Sequence, residues 1–326
     1  VDTFKTLERI ETLLLRQRLL LSARRLSLLF DWRTVLAVAC TIVLWASAFA
    51  GIRAGLRSYT PQGVALLRYL TASVVLLIYA VITKMPLPRR RDLPGLALAG
   101  FLGFSLYNVA LNIGEQSIPA GTASLIVASS PIYVALFATL VLHERMKWVG
   151  WLGILVSFVG VAVITLEPGA GLAISPSALL VLAAALAQAI YSVSQKPYLQ
   201  RYSPLQFTAC AIWFGTLFLL VFAPDLIREL PAASLQSTLA VVYMGIFPGA
   251  IGYVSWSYVF SRVPASRAGS FLYMVPVAAI IIAWFWLGEA PEPSALLGGV
   301  LILSGIVLVN LIGRAQTRIK TTDEHG

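Results

Sequence analysis

The chain has 326 residues, 59% of them hydrophobic and 12% charged, with a mean hydropathy of +0.85 and a formal net charge of +10. Ordinary soluble domains carry roughly 25% charged residues, so a water-soluble globule is excluded and a single membrane domain is indicated. The two cysteines, Cys40 and Cys210, both fall in apolar stretches, which argues against a disulfide framework or a thiolate metal site.

The first 33 residues carry Lys5, Arg9, Arg16, Arg18, Arg24, Arg25 and Arg33 among leucines such as Leu13, Leu14, Leu15, Leu19, Leu20 and Leu21. Two readings fit: a basic amphipathic helix on an anionic leaflet, and a tail that enforces topology. A leader-peptide reading also exists, since the basic stretch precedes an apolar run ending in Ala48-Phe49-Ala50 and Cys40 faintly resembles a lipobox. The helix count below needs that run as its first member.

A helix crosses a hydrocarbon core roughly 30 Å thick with about 20 apolar residues. Runs of that length predict ten spans: 34–54, 62–83, 94–113, 118–142, 148–166, 176–196, 204–223, 238–260, 265–287 and 293–313. They are solidly apolar and too long for the alternating strands of a membrane barrel. The expected fold class is therefore all-α and integral to the membrane, with ten transmembrane helices.

Positive charge sets the orientation. With the N-terminus inside, inner loops hold Lys84, Arg89, Arg90, Arg91, Arg145, Lys147, Lys196, Arg201, Arg262 and Arg267, while outer loops hold Arg53, Arg57 and Arg228. The positive-inside rule then places both termini in the cytoplasm. This bias accounts for the net charge, and no motif that reads bases accompanies it, so no nucleic-acid partner is expected.

Residues 119–165 recur at 264–310. Pro119/Pro264, Ala120/Ala265, Ala123/Ala268, Pro131/Pro276, Ala138/Ala283, Leu142/Leu287, Glu144/Glu289, Leu152/Leu297, Gly153/Gly298 and Gly160/Gly305 coincide. The order Pro, Glu, Gly, Gly at fixed spacing points to gene duplication rather than chance among apolar residues. Ten spans divide into five per half. An odd number inserts the second half upside down, so the repeats are expected to be inverted, the architecture that permits alternating access. Pro131 and Pro276 sit near the middle of spans four and nine. Each removes a backbone donor and should free the carbonyl four residues earlier, at Val127 and Leu272. Matched breaks of this kind mark a midplane site or gate, although a proline can also serve as a packing kink.

These residues resemble a known family. Trp45-Ala46-Ser47-Ala48-Phe49, Arg68, Ser130-Pro131, Glu144 and Gly153, with Pro276, Gly288-Glu289, Gly298 and Gly305 in the second half, resemble the EamA family of the drug/metabolite transporter superfamily. The resemblance covers about residues 34–313. It implies a cytoplasmic tail at 1–33, a first repeat at 34–166, a second at 176–313 and a cytoplasmic tail at 314–326. It also implies a cavity built by spans one to four and six to nine. The implied function is secondary transport across the inner or plasma membrane, exporting amino acids or related small metabolites. Export of hydrophobic or cationic toxicants is the alternative. The second half departs from the pattern, with Ala187-Gln188-Ala189-Ile190-Tyr191 where the first has Trp45 to Phe49.

Arg68 is the formal charge lying well inside a predicted span. Its burial costs at least about 2.5–3.5 kcal/mol on insertion scales. Two roles fit: holding a substrate carboxylate or phosphate, and reaching the headgroups or a backbone carbonyl. Trp45, Phe49, Tyr107, Tyr191, Trp213, Tyr253, Trp256 and Tyr273 fall on cavity spans and suit a flat, partly apolar solute, or else pack. Among polar residues within the spans (Asn108, Ser124, Ser129, Ser130, Gln188, Ser192, Ser255 and Ser270), Asn108, Ser130 and Gln188 are the favoured ligand contacts, joined by Ser47 from the family motif. Tyr253, Trp256 and Phe260 are spaced to share a face.

Glu115, Glu144 and Glu289 lie at helix ends, and Glu167 and Glu292 in outer loops. Glu144 with Arg145 is read as a boundary ion pair, and Glu289 should lie on the opposite membrane face. No Asp, Glu or His stands at mid-membrane depth, which points to transport weakly coupled or uncoupled to protons. Without a Gly-x4-Gly-Lys-Ser/Thr loop or clustered His, Cys and Asp, neither ATP hydrolysis nor enzyme chemistry is expected, and no cofactor or metal. An intramembrane or lipid-handling enzyme and a receptor or scaffold subunit are the competing classes. The expected partners are a small-molecule substrate and the lipid bilayer, with the protein a monomer or a homodimer. Gly51-x3-Gly55, Gly245-x3-Gly249 and Gly153-x6-Gly160 permit close helix approach, within the chain or between copies.

Overall fold

The computed structural model describes residues 31–141, 147–165, 175–195, 197–262 and 271–308. The basic N-terminal segment 1–30, the C-terminal tail, His143, Glu144, Arg145, Glu167 and Ser270 lie outside the described residues. So does the expected Glu144–Arg145 pairing.

The described residues form helices without strands. Six are long and apolar enough to cross a membrane: α1 (Trp32–Gly55), α2 (Pro61–Ile82), α3 (Arg90–Gly114), α7 (Pro176–Ser194), α8 (Pro204–Glu229) and α9 (Leu235–Val259). Shorter apolar helices make up the rest of the described residues' helical structure. These are α4 (Ala120–Val127), α5 (Ser130–Val141), α6 (Trp148–Thr165), α10 (Met274–Leu287) and α11 (Pro293–Val307).

Helix starts follow local chemistry. Thr60, Ser175 and Ser203 each place a side-chain oxygen on an amide of the first turn and are each followed by Pro61, Pro176 or Pro204, whose missing amide costs nothing there. At the end of α10, Gly288 takes the left-handed conformation (φ 72°), which glycine adopts without penalty.

The outside of the bundle is apolar. Leu155, Val300, Phe285 and Val81 are each at least 61% exposed. In water such a surface would be a liability; in a bilayer it faces the acyl chains.

Helices exchange partners between the halves. α1 packs on α9 and α10, α7 on α3, α4 and α5, α2 on α9 and α8, and α8 on α3. α6 and α11 pack most extensively against each other at one side. The glycines explain that contact: a Cβ on Gly160 would stand 2.7 Å from the Gly298 carbonyl oxygen, and Ser157 donates to the Ile302 carbonyl at 3.1 Å. Gly51 and Gly55 abut Met244 and Val241, and Gly245 abuts the backbone of Arg68.

Two irregularities occur at corresponding places in the halves. α3 contains a π-helical turn at Phe101–Leu106, and α9 contains one at Phe247–Ile251. Such turns are rare and concentrate at functional sites. The predicted fourth span is not one helix: it breaks between α4 and α5 at Ala128-Ser129, and the stretch before α10 breaks at Leu272-Tyr273. Both breaks lie just before the repeated prolines. The carbonyl of Val127 accepts from the Ser130 hydroxyl at 2.7 Å, and that of Leu272 from the Val275 amide at 3.0 Å.

Candidate functional site

A cavity of about 430 Å³ opens between the halves. Its walls come from α1 (Trp45, Phe49, Ile52), α2 (Arg68, Tyr69), α3 (Tyr107, Leu111) and α4–α5 (Ser124, Ser130, Pro131). The facing wall is α7 (Gln188, Tyr191), α8 (Thr208), α9 (Tyr253, Trp256) and the stretch leading into α10 (Tyr273, Pro276). Both helix breaks therefore border it. The lining continues to Gln195, Pro204 and Ser257, toward one membrane face.

At the other face the helix ends are tied together. Arg53 Nε donates to Glu289 at 2.9 Å, and its Nη1 donates to the backbone carbonyl of Glu115 at 2.6 Å. The second oxygen of Glu289 accepts from the Ala120 amide at the start of α4. Tyr59 and Thr238 hydroxyls meet at 2.6 Å, and Ser58 donates to Ser237. Glu289 stands with Arg53 and Glu115, on the face the charge rule calls outer.

Arg68 is 7% exposed and its guanidinium reaches the cavity. Nη1 donates to Asn108 Oδ1 at 3.2 Å, and the guanidinium carbon stands 5.3 Å from the Tyr69 ring centroid. Nε is buried without a hydrogen-bond partner. Asn108 in turn donates to the Tyr69 hydroxyl and to the Phe104 carbonyl, both at 2.9 Å. This network sets the direction of the guanidinium and leaves the buried Nε donor unused. Leaving a charged donor unsatisfied in a buried place is costly unless a ligand or water meets it.

An aromatic wall faces the arginine. Trp45 lies 5.2 Å from Tyr253 and 5.5 Å from Trp256, tilted in both cases. Phe104, fully buried beneath the site, contacts Tyr69, Tyr191 and Tyr253 edge-on. The lining contains no Asp or Glu among the described residues.

Of the residues singled out from sequence, Trp45, Phe49, Arg68, Tyr107, Ser130, Pro131, Gln188, Tyr191, Tyr253, Trp256, Tyr273 and Pro276 line the cavity. Three others do not line it. Ser47 points away: its hydroxyl meets Tyr243 at 2.8 Å and donates to the Leu44 carbonyl, at the α1–α9 contact. Asn108 is fully buried behind Arg68. Trp213 donates to the Ser73 carbonyl between α8 and α2. The Phe260 side chain lies outside the described residues. Sequence reasoning missed Tyr69, Thr208 and Ile52, whose types are ordinary for a membrane helix; the position of Tyr69 beside Arg68 was the available signal.

The model of the EamA-like transporter family matches residues 32–166 and again 175–311. A transporter of Bacillus subtilis, named as uncharacterized transporter YdfC, is 44% identical over 281 residues, covering 86% of this chain and 92% of that protein. A Streptantibioticus cattleyicolor protein named as a probable terminal-alkyne amino-acid exporter is 43% identical, covering 85% and 93%. A solved crystal structure shares the fold with a TM-score of 0.59 at 19% identity, over 85% of this chain and 96% of that one.

Proposed function

The chain belongs to the EamA-like transporter family, and we propose that it exports amino acids or related small zwitterions across the inner or plasma membrane by alternating access. The carrying observation is the buried Arg68, hydrogen-bonded to Asn108, at the wall of an aromatic cavity whose lining holds no carboxylate among the described residues. A carboxylate placed there accepts from the guanidinium and neutralises its charge. A cavity of about 430 Å³ is of the size that holds small molecules. The Trp45, Tyr253 and Trp256 rings offer an apolar wall for a side chain and π faces for an ammonium group. A lining with one arginine and no carboxylate disfavours cationic drugs.

Ten spans in two inverted five-helix repeats account for several features together. The family matches the chain twice, the π turns fall in the third helix of each half, and the helix breaks precede Pro131 and Pro276. With both termini cytoplasmic by the charge rule, the cavity reaches toward the cytoplasm and the Arg53–Glu289 layer seals the outside. This is the loading state of an exporter. The Gly160, Gly298 and Gly305 contacts of α6 and α11 are made within the chain, and the transporting unit is a monomer or a homodimer.

Counterflow in proteoliposomes tests the reading, with labelled Phe, Trp, Thr and a purine nucleoside, for wild type and Arg68→Ala. Amino-acid exchange that collapses in the mutant supports it. Exchange untouched by the mutation removes Arg68 from recognition. Exchange of none of these solutes, with efflux of apolar toxicants instead, replaces the amino-acid reading.

A further inference from the structure

Glu115 follows the last residue of α3, and its side chain is fully buried. Neither carboxyl oxygen has a hydrogen-bond partner. Its neighbour Arg53 does not serve it: Nε is committed to Glu289, and Nη1 to the backbone carbonyls of Glu115 and Gln116. An ionised carboxylate sealed in this way would forfeit its hydration with no hydrogen bond in return. A neutral carboxyl carries a far smaller penalty.

The charged and titratable groups around it come from four elements. Arg53 stands on α1, Arg68 on α2, Tyr107 on α3 and Glu289 after α10. α7, which packs Val181 against Gly114, contributes no charged residue, and α4 contributes only the Ala120 amide that Glu289 binds. Burial dominates and pushes the Glu115 carboxyl well above the usual range; Arg53 pulls it down, Glu289 pushes it up and Arg68 pulls it down.

Position gives this carboxyl a purpose. Leu111, one helical turn before it, lines the cavity, and Glu115 stands about 10 Å beyond Asn108 at 1.5 Å per residue. It therefore sits between the solute cavity and the layer that closes the outer face. We propose that Glu115 is a proton-binding site: its carboxyl takes up a proton from water when the Arg53–Glu289 layer closes over it and returns that proton when the layer opens. Glu115 stands at a helix end by sequence position, a place that by itself gives no sign of a proton carrier. Its burial supplies one.

The sign follows from linkage. The closed layer has the raised carboxyl pKa, so proton binding favours closure below the open-state pKa, and that preference is lost as pH rises through the closed-state pKa. Raising pH opens the layer, by at most about tenfold in the open-to-closed ratio per pH unit for one proton.

The test needs no solute, so it stands or falls separately from the amino-acid reading. Spin labels at Ser117→Cys and Ala290→Cys, both exposed positions on the outer layer, are placed in a full chain with Cys40 and Cys210 replaced by serine. Distances are measured by pulsed electron resonance from about pH 5 to about pH 9, a range above the ordinary carboxyl pKa of about 4.3. The expected result is a longer-distance population that grows with pH. In Glu115→Gln, which keeps the shape of the protonated acid, the short distance should persist throughout. Glu115→Asp should restore a titration with a moved midpoint, which guards against a misfolded Gln variant. A wild-type distance indifferent to pH, or a Gln variant that titrates like wild type, overturns the proposal. A shift that follows sodium replacing potassium at fixed pH overturns it in favour of a metal cation.

Discussion

Arg68 and Asn108 stand forty residues apart on antiparallel neighbours α2 and α3, joined by one hydrogen bond of 3.2 Å. The amide is held from the far side by the Tyr69 hydroxyl and the Phe104 carbonyl, which fixes its oxygen toward the arginine. Hydrogen bonds to charged groups contribute about 1.5–3 kcal/mol. Asn108→Leu should therefore release the guanidinium and raise the KM of amino-acid exchange by about tenfold or more. Asn108→Asp should do more, because a carboxylate there forms an ion pair with Arg68 and competes with the substrate. Initial exchange rates across a substrate series check both. Equal KM in wild type and both variants would show that Asn108 has no part in orienting Arg68.

Ser47 and Trp45 separate a packing role from a binding role on one helix. The Ser47 hydroxyl serves Tyr243 and Leu44, so Ser47→Ala should cost about 1 kcal/mol of stability and leave substrate affinity within about twofold. Trp45 borders the cavity and donates to the Pro248 carbonyl in the π turn of α9 at 3.3 Å. Trp45→Ala should weaken binding by about tenfold or more, given the worth of a buried aromatic contact. Thermal unfolding in detergent and binding titrations on the same preparations distinguish the two effects.

How much of this was legible in the sequence depended on the kind of signal. The six long spans were legible, because hydropathy is a local property and Thr60-Pro61, Ser175-Pro176 and Ser203-Pro204 announce helix starts. The helix breaks before Pro131 and Pro276 were legible because proline removes a donor whatever surrounds it. The π turns were not, since an extra residue in a turn leaves no residue-type signature in Phe101–Leu106. Side-chain direction was the main loss. Ser47 and Trp45 are two residues apart, about 200° around a helix, so a motif that names both cannot place both in one cavity. The burial of Glu115 was hidden for a related reason: sequence gives depth along a helix, while burial depends on which neighbours close over its end.

Pro131 and Pro276 are expected to govern turnover more than affinity. Each removes an amide that would otherwise bond the carbonyl four residues earlier, and the helix is interrupted at both places. Pro276→Ala restores that donor and favours a continuous helix. The exchange rate should fall by about tenfold, equivalent to about 1.4 kcal/mol of barrier, while substrate Kd changes by less than that factor. Single-turnover exchange alongside equilibrium binding measures the two separately, and a change confined to Kd would place the proline in recognition alone.

The contact between α6 and α11 gives the sharpest stability prediction. Gly160 and Gly298 oppose each other: a Cβ on Gly160 would meet the Gly298 carbonyl at 2.7 Å and the Ile302 amide at 2.9 Å, both backbone atoms that no rotamer change can move. Small residues let these helices approach without a hydrophobic driving force in lipid. Gly160→Leu must separate them and forfeit the Ser157 to Ile302 hydrogen bond, at a cost of about 1–3 kcal/mol or more. The site lies away from the cavity lining, so the affinity of the surviving folded fraction should match wild type. A lower melting temperature in detergent with unchanged Kd is the expected pair of results. An unchanged melting temperature would mean that α6 and α11 do not approach this closely in the membrane.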